Sequence, residues 1–368
     1  MTQENTQHRY SITDILGAPC SEEEARRRIR EETDLTTLNV FHSMQTAAQE
    51  RLLEFIMGKR GLAITYDTVF RHVLVPNGNP ERLEHLLSCL LKQKVTIEAI
   101  LNREGCQISE TASFVIADII VKLQNGALVN VEMQKIGYDF PGERCSCYLA
   151  DMIMRQYNSL KYKNTHFKYH DMCPVHLIIF MEQSPPLFHE TTQYIHKKIS
   201  AFDSGIDLRL LDNLTLISLD TFRSVVQNIS TKEDAWLTFF TATDPERICT
   251  LVNSHPEFLE YYQDLVSFRQ QPKELITMFS EALLRVMDHN TEVYMVEQLQ
   301  KKQAELETKN EKLKQEMKEL NAKNTEMETE SSELKAKNAE IEAENAAKDA
   351  QIKALEEQIA TLKNQSLQ

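Results

Sequence analysis

Two acidic residues and two amides interrupt segments that are otherwise apolar. The segment FVIADIIV is apolar on both faces except at Asp118. The segment LVNVEMQ, which follows it closely, is interrupted by Asn130, Glu132 and Gln134. Strands that are apolar on both faces lie inside a sheet covered on both sides. Burying a carboxylate there costs several kcal/mol per ion unless a positive group compensates its charge. The two acids therefore require either a basic side-chain partner or a metal ion.

Both solutions are compatible with the residue types around the acids. Lys122 would share a strand face with Asp118 and could compensate its charge, whereas Lys135 would face away from Glu132. The alternative is a divalent cation such as Mg²⁺, which prefers oxygen ligands and usually takes only one or two carboxylates from the protein. In that case both carboxylates must point to the same side of the sheet.

The turn between the two segments decides whether they do. Asn125-Gly126 is a strong hairpin signal. A two-residue turn would pair Asp118 with Met133 and send Glu132 to the opposite face. A three-residue loop over residues 124–126, with Gly126 in the left-handed conformation, would pair Asp118 with Glu132, and directly opposed Cβ atoms lie about 4.5–5.5 Å apart. We predict this second register, with a positive φ at Gly126 and a metal site formed by Asp118 and Glu132.

An Asp in one strand followed by Glu-x-Gln in the next is similar to the PD-(D/E)XK nuclease signature. The stretches TYDTVFRHVL, NPERLEHLLSCLL, FVIADIIVKLQNGALVNVEMQKIGYDFPGERCSCYLADMIMRQY and TATDPERI resemble the PD-(D/E)XK nuclease family transposases, which are recombination-promoting nucleases. The resemblance covers roughly residues 52–289. It implies an α/β fold with a restriction-endonuclease-like core and metal-dependent hydrolysis of DNA phosphodiesters.

The resemblance also implies roles for individual residues. Asp118 and Glu132 would be catalytic and would bind Mg²⁺ or another divalent cation. Gln134 stands where many such nucleases have a lysine that helps to activate water, and Ala117 stands in place of the proline. Because glutamine is uncharged, Gln134 could orient a water molecule but would not stabilise developing negative charge.

Other residues have both a functional and a structural interpretation. Glu84 borders a leucine stripe and is either an additional acid of the site or a boundary residue; Asp67 is either another acid or the N-cap of the helix that follows it. Arg144, Tyr148 and Arg155 share a helix face and could hold DNA phosphates, although surface arginines are usually only solvated.

Composition constrains the remaining possibilities. The chain has 368 residues, only 9 glycines and 10 prolines, and a net charge of −14, so we expect a helix-rich protein whose DNA contacts come from local basic patches. Seven scattered cysteines favour a cytoplasmic protein, and no apolar run approaches the roughly 20 residues of a membrane span.

We predict a helical segment over residues 1–60, a nuclease-like core over 61–230, a helical extension over 231–290 and a coiled coil over 291–366. We expect one helix over residues 36–59 and strands over 112–123, 127–134, 175–181 and within 207–219.

The tail has a sustained heptad repeat. Its d positions are apolar except at Lys348, and the preceding a positions include Asn310, Asn324, Asn338 and Asn345. Buried asparagine at a favours two strands in register. In a parallel pair, Lys302–Glu307, Lys323–Glu328, Glu330–Lys335 and Lys337–Glu342 would attract, while Lys309–Lys314 and Glu344–Asp349 would repel. We therefore predict a homodimer through a parallel coiled coil.

The same features leave a second function open. A non-catalytic interaction protein would keep the nuclease fold as a scaffold and act through its coiled coil. The acidic net charge and the missing lysine at Gln134 are compatible with that alternative.

Overall fold

The computed structural model describes residues 9–101, 118–135, 142–163, 165–200, 202–206, 208–284 and 289–365. The chain divides into two compact units, residues 1–292 and 293–368. The elements of the first unit are α1 (Ile12–Leu16), α2 (Glu22–Glu32), α3 (Leu35–Ser43), α4 (Thr46–Ile56), α5 (Asp67–Leu74), α6 (Glu81–Leu91), β1 (Ile97–Ile100), β2 (Ile119–Leu123), β3 (Leu128–Gln134), α7 (Gly142–Lys163), β4 (Val175–Met181), β5 (Ile195–Lys197), β6 (Asp212–Ser218), α8 (Leu219–Val225), α9 (Lys232–Thr241), α10 (Pro245–Ser254), α11 (Phe258–Ser267) and α12 (Pro272–Leu284). A long helix, α13 (His289–Gln365), forms the described part of the second unit.

The six strands form one mixed sheet in the order β1-β2-β3-β4-β6-β5. β2 runs antiparallel to both β1 and β3, while β3, β4 and β6 are parallel and β5 is antiparallel to β6. The parallel pair β3 and β4 is joined through α7, as parallel strands require a crossover connection. The mixed α/β architecture predicted from the sequence is confirmed.

The hairpin between β2 and β3 has the predicted three-residue register. Ile119 pairs with Val131 and Ile120 with Asn130, so paired residue numbers sum to 250. Gly126 has φ +86°, as the left-handed position of the loop requires. The first part of the predicted strand over residues 112–123 lies outside the described residues, which resume at Asp118.

Hydrophobic cores cover both faces of this sheet. On one face, Val121, Val129 and Val131 pack into a large core that also includes side chains of the helices before and after the sheet. On the other face, Ile120 and Leu128 pack against α7. This second face also carries Asp118 and Glu132, because side chains alternate along a strand.

The N-terminal helices are held to the C-terminal helices by a buried arginine. Arg269 is 5% exposed, and its guanidinium donates to the backbone carbonyls of Leu16, Ala18 and Ile56. Tyr10 and Asn253 add two hydrogen bonds between backbone and side chain, of 2.8 and 3.0 Å. Elements from both ends of the unit therefore share one core.

The single helix expected over residues 36–59 is wrong, since α3 and α4 are separate helices. The chain is extended at Met44, whose side chain is buried. The amide of Gln49 donates to the carbonyls of Met44 and His42, at 2.8 and 3.3 Å. These bonds satisfy acceptors that the end of a helix leaves without partners and so stabilise the break.

The apolar stripe of α13 faces solvent within the single chain. Leucines at d positions, such as Leu306, Leu313 and Leu334, are 52–62% exposed. Among the described helices of the chain, none is long and apolar enough to cross a membrane. The six cysteines in the described ranges form no disulfide.

Candidate active site

The two predicted metal ligands lie opposite each other at one end of the β2–β3 hairpin. Both are buried, with 6% of each residue exposed. Each carboxylate accepts a hydrogen bond from the opposite strand: Asp118 Oδ2 from the Met133 N–H at 2.9 Å, and Glu132 Oε1 from the Asp118 N–H at 3.2 Å. The hairpin register therefore fixes the positions of both acids through the main chain.

Their mutual repulsion changes the protonation of Glu132. Burial raises the pKa of Glu132 well above its usual value, and the charge of Asp118 raises it further. A hydrogen bond from Asn130 Nδ2, at 2.7 Å, and the charge of Arg144 oppose this shift without cancelling it. A further positive charge at the pair would favour the ionised form of Glu132.

The oxygen atoms around the pair fit a hard cation. Asn130 is fully buried on the same face, and its Oδ1 has no hydrogen-bond partner among the described residues. Carboxylate and amide oxygens are the ligands that Mg²⁺ prefers. In the described parts of the chain, no group of three His, Cys, Asp or Glu side chains is arranged to hold a metal. A cation here would thus take two carboxylates and complete its shell with water or substrate oxygens.

The first turns of α7 cover the acids. Arg144 Nη2 donates to the Tyr148 hydroxyl at 3.0 Å. Burial raises the pKa of Tyr148, and the charge of Glu132 adds to the shift, so the hydroxyl stays protonated. Burial also raises the pKa of Cys145 to about 11, which keeps its thiol protonated and excludes it as a thiolate nucleophile at neutral pH.

A comparison with known families places the chain as a whole. The model of the PD-(D/E)XK nuclease family transposases matches residues 64–295, more than half of the chain. The chain belongs to this family. No match was found among curated proteins or among solved structures. Membership of the PD-(D/E)XK family indicates a nuclease-like function, and nucleases of this family generally use divalent metal ions.

The sequence predicts that Gln134 occupies the family's lysine position. Gln134 is the last residue of β3, on the same face as Glu132, and is partly exposed. The adjacent Lys135 contacts other groups: its Nζ lies 3.1 Å from Glu182 Oε2 and 3.4 Å from the centroid of the Tyr66 ring. Tyr66 packs against the core on the opposite side of the sheet, so Lys135 does not substitute for the missing lysine.

The three predicted phosphate-binding residues of α7 do not lie together. Arg144 and Tyr148 border the acids, whereas Arg155 forms an ion pair of 2.7 Å with Asp151. Arg155 follows Arg144 by eleven positions, or about 16 Å along the helix.

Arg71 of α5, by contrast, reaches the acid pair, because its Nη1 donates to the Asp118 carbonyl at 3.2 Å. Nothing in the sequence pattern signals this contact, since its acceptor is a main-chain atom.

Glu84 is placed away from the acid pair. Its Oε1 accepts a 2.7 Å hydrogen bond from the N–H of Ile97, and Ile97 pairs with Leu123. Leu123 lies five residues from Asp118, or about 16 Å along the strand. This contact supports the boundary interpretation of Glu84. α5 begins at Asp67, with Tyr66 in the N-cap position, and the side chain of Asp67 lies outside the described part of the structure.

Lys122, which the sequence suggested as a partner of Asp118, pairs with a different acid. Its Nζ lies 2.7 Å from a carboxylate oxygen of Glu98 on β1. The charge of Lys122 is therefore directed to the neighbouring strand. Lys122 is therefore not the cation beside the acid pair, whereas Arg144 lies close enough for its charge to lower the pKa of Glu132.

Proposed function

We propose that this protein is a Mg²⁺-dependent DNA endonuclease of the recombination-promoting type. The observation that supports it is the burial of Asp118 and Glu132 at directly opposed positions, where the charge of Asp118 adds to the effect of burial and raises the pKa of Glu132. Two buried like charges are unfavourable in the protein alone and become favourable when a cation binds between them. Another divalent cation with the same preference for oxygen could replace Mg²⁺.

The surrounding residues suit hydrolysis of a phosphodiester. Asp118 and Glu132 hold the cation, which when bound would activate a water molecule and stabilise the charge of the departing oxygen. Gln134, on the same face at the partly exposed end of β3, orients water by hydrogen bonding. Arg144, which lies close enough to lower the pKa of Glu132, supplies a positive charge for the phosphate.

A plasmid-nicking assay with and without Mg²⁺ tests the proposal. Asp118→Asn keeps the size of the side chain but removes its charge, and we expect at least an approximately hundredfold loss of cleavage, because a bound cation contributes several kcal/mol. Glu98→Gln is the matched control, since Glu98 is exposed and pairs with Lys122 instead. Cleavage that Asp118→Asn leaves unchanged, or that is absent with every divalent metal, would favour the non-catalytic alternative.

We further propose that α13 forms a parallel coiled coil with a second copy of the chain. Its d-position leucines are about half exposed in the single chain, and a stripe of this length is typical of an interaction surface. The asparagines at a and the attractive g–e pairs support two parallel strands. Such a dimer would bring two nuclease units to one target, which suits cleavage of both strands.

Light scattering of the full chain and of a chain ending at His289 tests this proposal. We expect a dimer for the full chain and a monomer for the shortened one. Leu320→Asp in the full chain is a second test, because a charge at a d position disfavours a dry seam. A monomeric full chain, or a shortened chain that remains dimeric, would show that α13 does not form the interface.

A further inference from the structure

A basic and aromatic patch, defined by residues 161–163 and 165–170, runs from the last residues of α7 into the loop that follows this helix. Its sequence context, KYKNTHFKYH, contains three lysines and two histidines. Residues 152–170 contain no Asp or Glu and form the longest acid-free stretch in a chain with 55 acidic residues. The patch is therefore a local exception to the acidic character of the protein.

Two tyrosine rings of this patch are exposed, and one of them, Tyr169, belongs to a cluster of ring contacts. Tyr162 is 93% exposed and Tyr169 is 77% exposed. The ring of Tyr169 stacks on Tyr157 at an interplanar angle of 16°, and Phe167 meets both rings edge-on at 5.4 and 5.5 Å. Lys161 Nζ donates to the Tyr157 hydroxyl at 3.1 Å and lies 5.3 Å from its ring centroid. These contacts fix a small aromatic platform at the surface.

The charges beside the platform are mainly positive. Lys161, Lys163 and Lys168 are all exposed. Arg209 joins them from the loop before β6, where its Nη2 donates to the Met172 carbonyl at 3.3 Å. The neighbouring acid, Asp171, accepts a 2.8 Å hydrogen bond from the backbone N–H of Lys168, which ties its carboxylate to the loop. The exposed groups of the patch can therefore meet a polyanion.

We infer that this patch binds a single-stranded segment of DNA. Lysines would contact the phosphates, and Tyr162 and Tyr169 would stack on unpaired bases, the two interactions on which single-strand binding depends. Base faces are hidden within a duplex, so exposed rings of this kind favour unpaired bases. A protein partner is less suitable, because lysine is depleted at the centre of protein interfaces.

The position of the patch relates it to the acid pair. α7 begins beside Glu132 and ends at the patch, and Lys161 follows Arg144 by 17 positions, or about 25 Å along the helix. That distance equals about seven base pairs of a duplex. A contribution of the patch to cleavage rests on the proposed nuclease function, whereas binding at the patch does not.

Binding can be measured without metal, in the full chain carrying Asp118→Asn, by the fluorescence anisotropy of labelled oligo-dT and of a duplex of equal length. Replacing Lys161, Lys163 and Lys168 with Gln should weaken oligo-dT binding and lower the salt slope by about 2, since each phosphate contact on a single strand contributes about 0.7. The control is Gln at three exposed lysines elsewhere: Lys59, Lys94 and Lys232. We expect the control to retain the affinity and the slope.

The tyrosine tests the stacking directly. Tyr162→Ala should weaken oligo-dT binding about tenfold and leave duplex binding unchanged, while Tyr162→Phe should retain the affinity. Because Tyr162 is almost fully exposed, neither change should alter folding, which circular dichroism verifies. Equal affinities for the lysine variant and its control would overturn the inference, as would a Tyr162→Ala variant that binds oligo-dT normally. If the wild-type protein cleaves no DNA but these substitutions still weaken oligo-dT binding, only the proposed nuclease function is refuted.

Discussion

Glu132→Gln should stabilise the metal-free protein at alkaline pH. The substitution removes a buried charge but keeps an oxygen that can accept the hydrogen bonds from Asn130 Nδ2 and the Asp118 N–H. In wild-type protein, the pKa of Glu132 is raised by burial and by Asp118. The folded state therefore holds this proton more tightly than the unfolded state does.

The sign of the pH dependence follows from this shift. Below the unfolded pKa, Glu132 is neutral in both states and the two proteins should differ little. As the pH rises from the unfolded pKa through the folded pKa, wild type loses stability that the variant keeps. Each unit of pKa elevation corresponds to about 1.4 kcal/mol. Because Arg144 offsets part of the effect, we expect an advantage of about 1–3 kcal/mol at pH 8.

Thermal unfolding in EDTA between pH 5 and pH 8.5, repeated with MgCl₂, measures this difference. For a protein of this size, 1 kcal/mol shifts the Tm by about 2–4 °C. Mg²⁺ should stabilise wild type by RT ln(1 + [Mg²⁺]/Kd), which rises with the Mg²⁺ concentration, and should have much less effect on the variant. Glu98→Gln, at an exposed ion pair, controls for the loss of one negative charge.

The reverse outcome would refute the reasoning about the acid pair. If Glu132→Gln destabilises the metal-free protein at every pH, the carboxylate is already compensated by a protein cation such as Arg144. A variant that gains as much stability from Mg²⁺ as wild type would show that Glu132 is not a metal ligand.

Three further perturbations have defined outcomes. Gln134→Lys should raise the rate of plasmid nicking about tenfold, because an ammonium on the face of Glu132 stabilises developing negative charge; an unchanged or lower rate would contradict the role given to this position. Gly126→Ala should lower the free energy of unfolding by about 1–3 kcal/mol in denaturant titrations, since φ is +86° and the added Cβ would lie 2.8 Å from Cys173 Sγ; wild-type stability would show that the loop adapts. Arg269→Met should cost at least about 3 kcal/mol by the same measurement, because it leaves buried carbonyls without donors; a loss below about 1 kcal/mol would show that other groups replace the guanidinium.

The geometry of the hairpin was predictable because local turn chemistry determines it. Asn125-Gly126 admits few loops, and the period of two along a strand converts the choice of loop into the relative orientation of Asp118 and Glu132. The apolar run of β4 was equally clear, and its bounds, Val175–Met181, match the prediction. These features depend on residues close together in the sequence.

Features that depend on distant contacts were not predictable. β1 and β5 have only four and three residues, too few to show alternation, and they exist because longer strands pair with them. The break between α3 and α4 depends on the amide of Gln49, which could equally have pointed to solvent. The partners of Lys122 and Glu84 lie on β1, a strand that the sequence pattern does not reveal.

The clamp formed by Arg269 has a consequence for synthesis of the protein on the ribosome. The carbonyls of Leu16 and Ile56 leave the ribosome more than 200 residues before the guanidinium that binds them. At 5–20 residues per second, they wait roughly 10–50 s for this donor. During that interval the apolar faces of α1 and α4 lack part of the core that covers them, so the nascent chain is exposed to aggregation and to chaperone binding. The complete core, and with it a fully supported β2–β3 hairpin, forms only after most of the first unit has been translated.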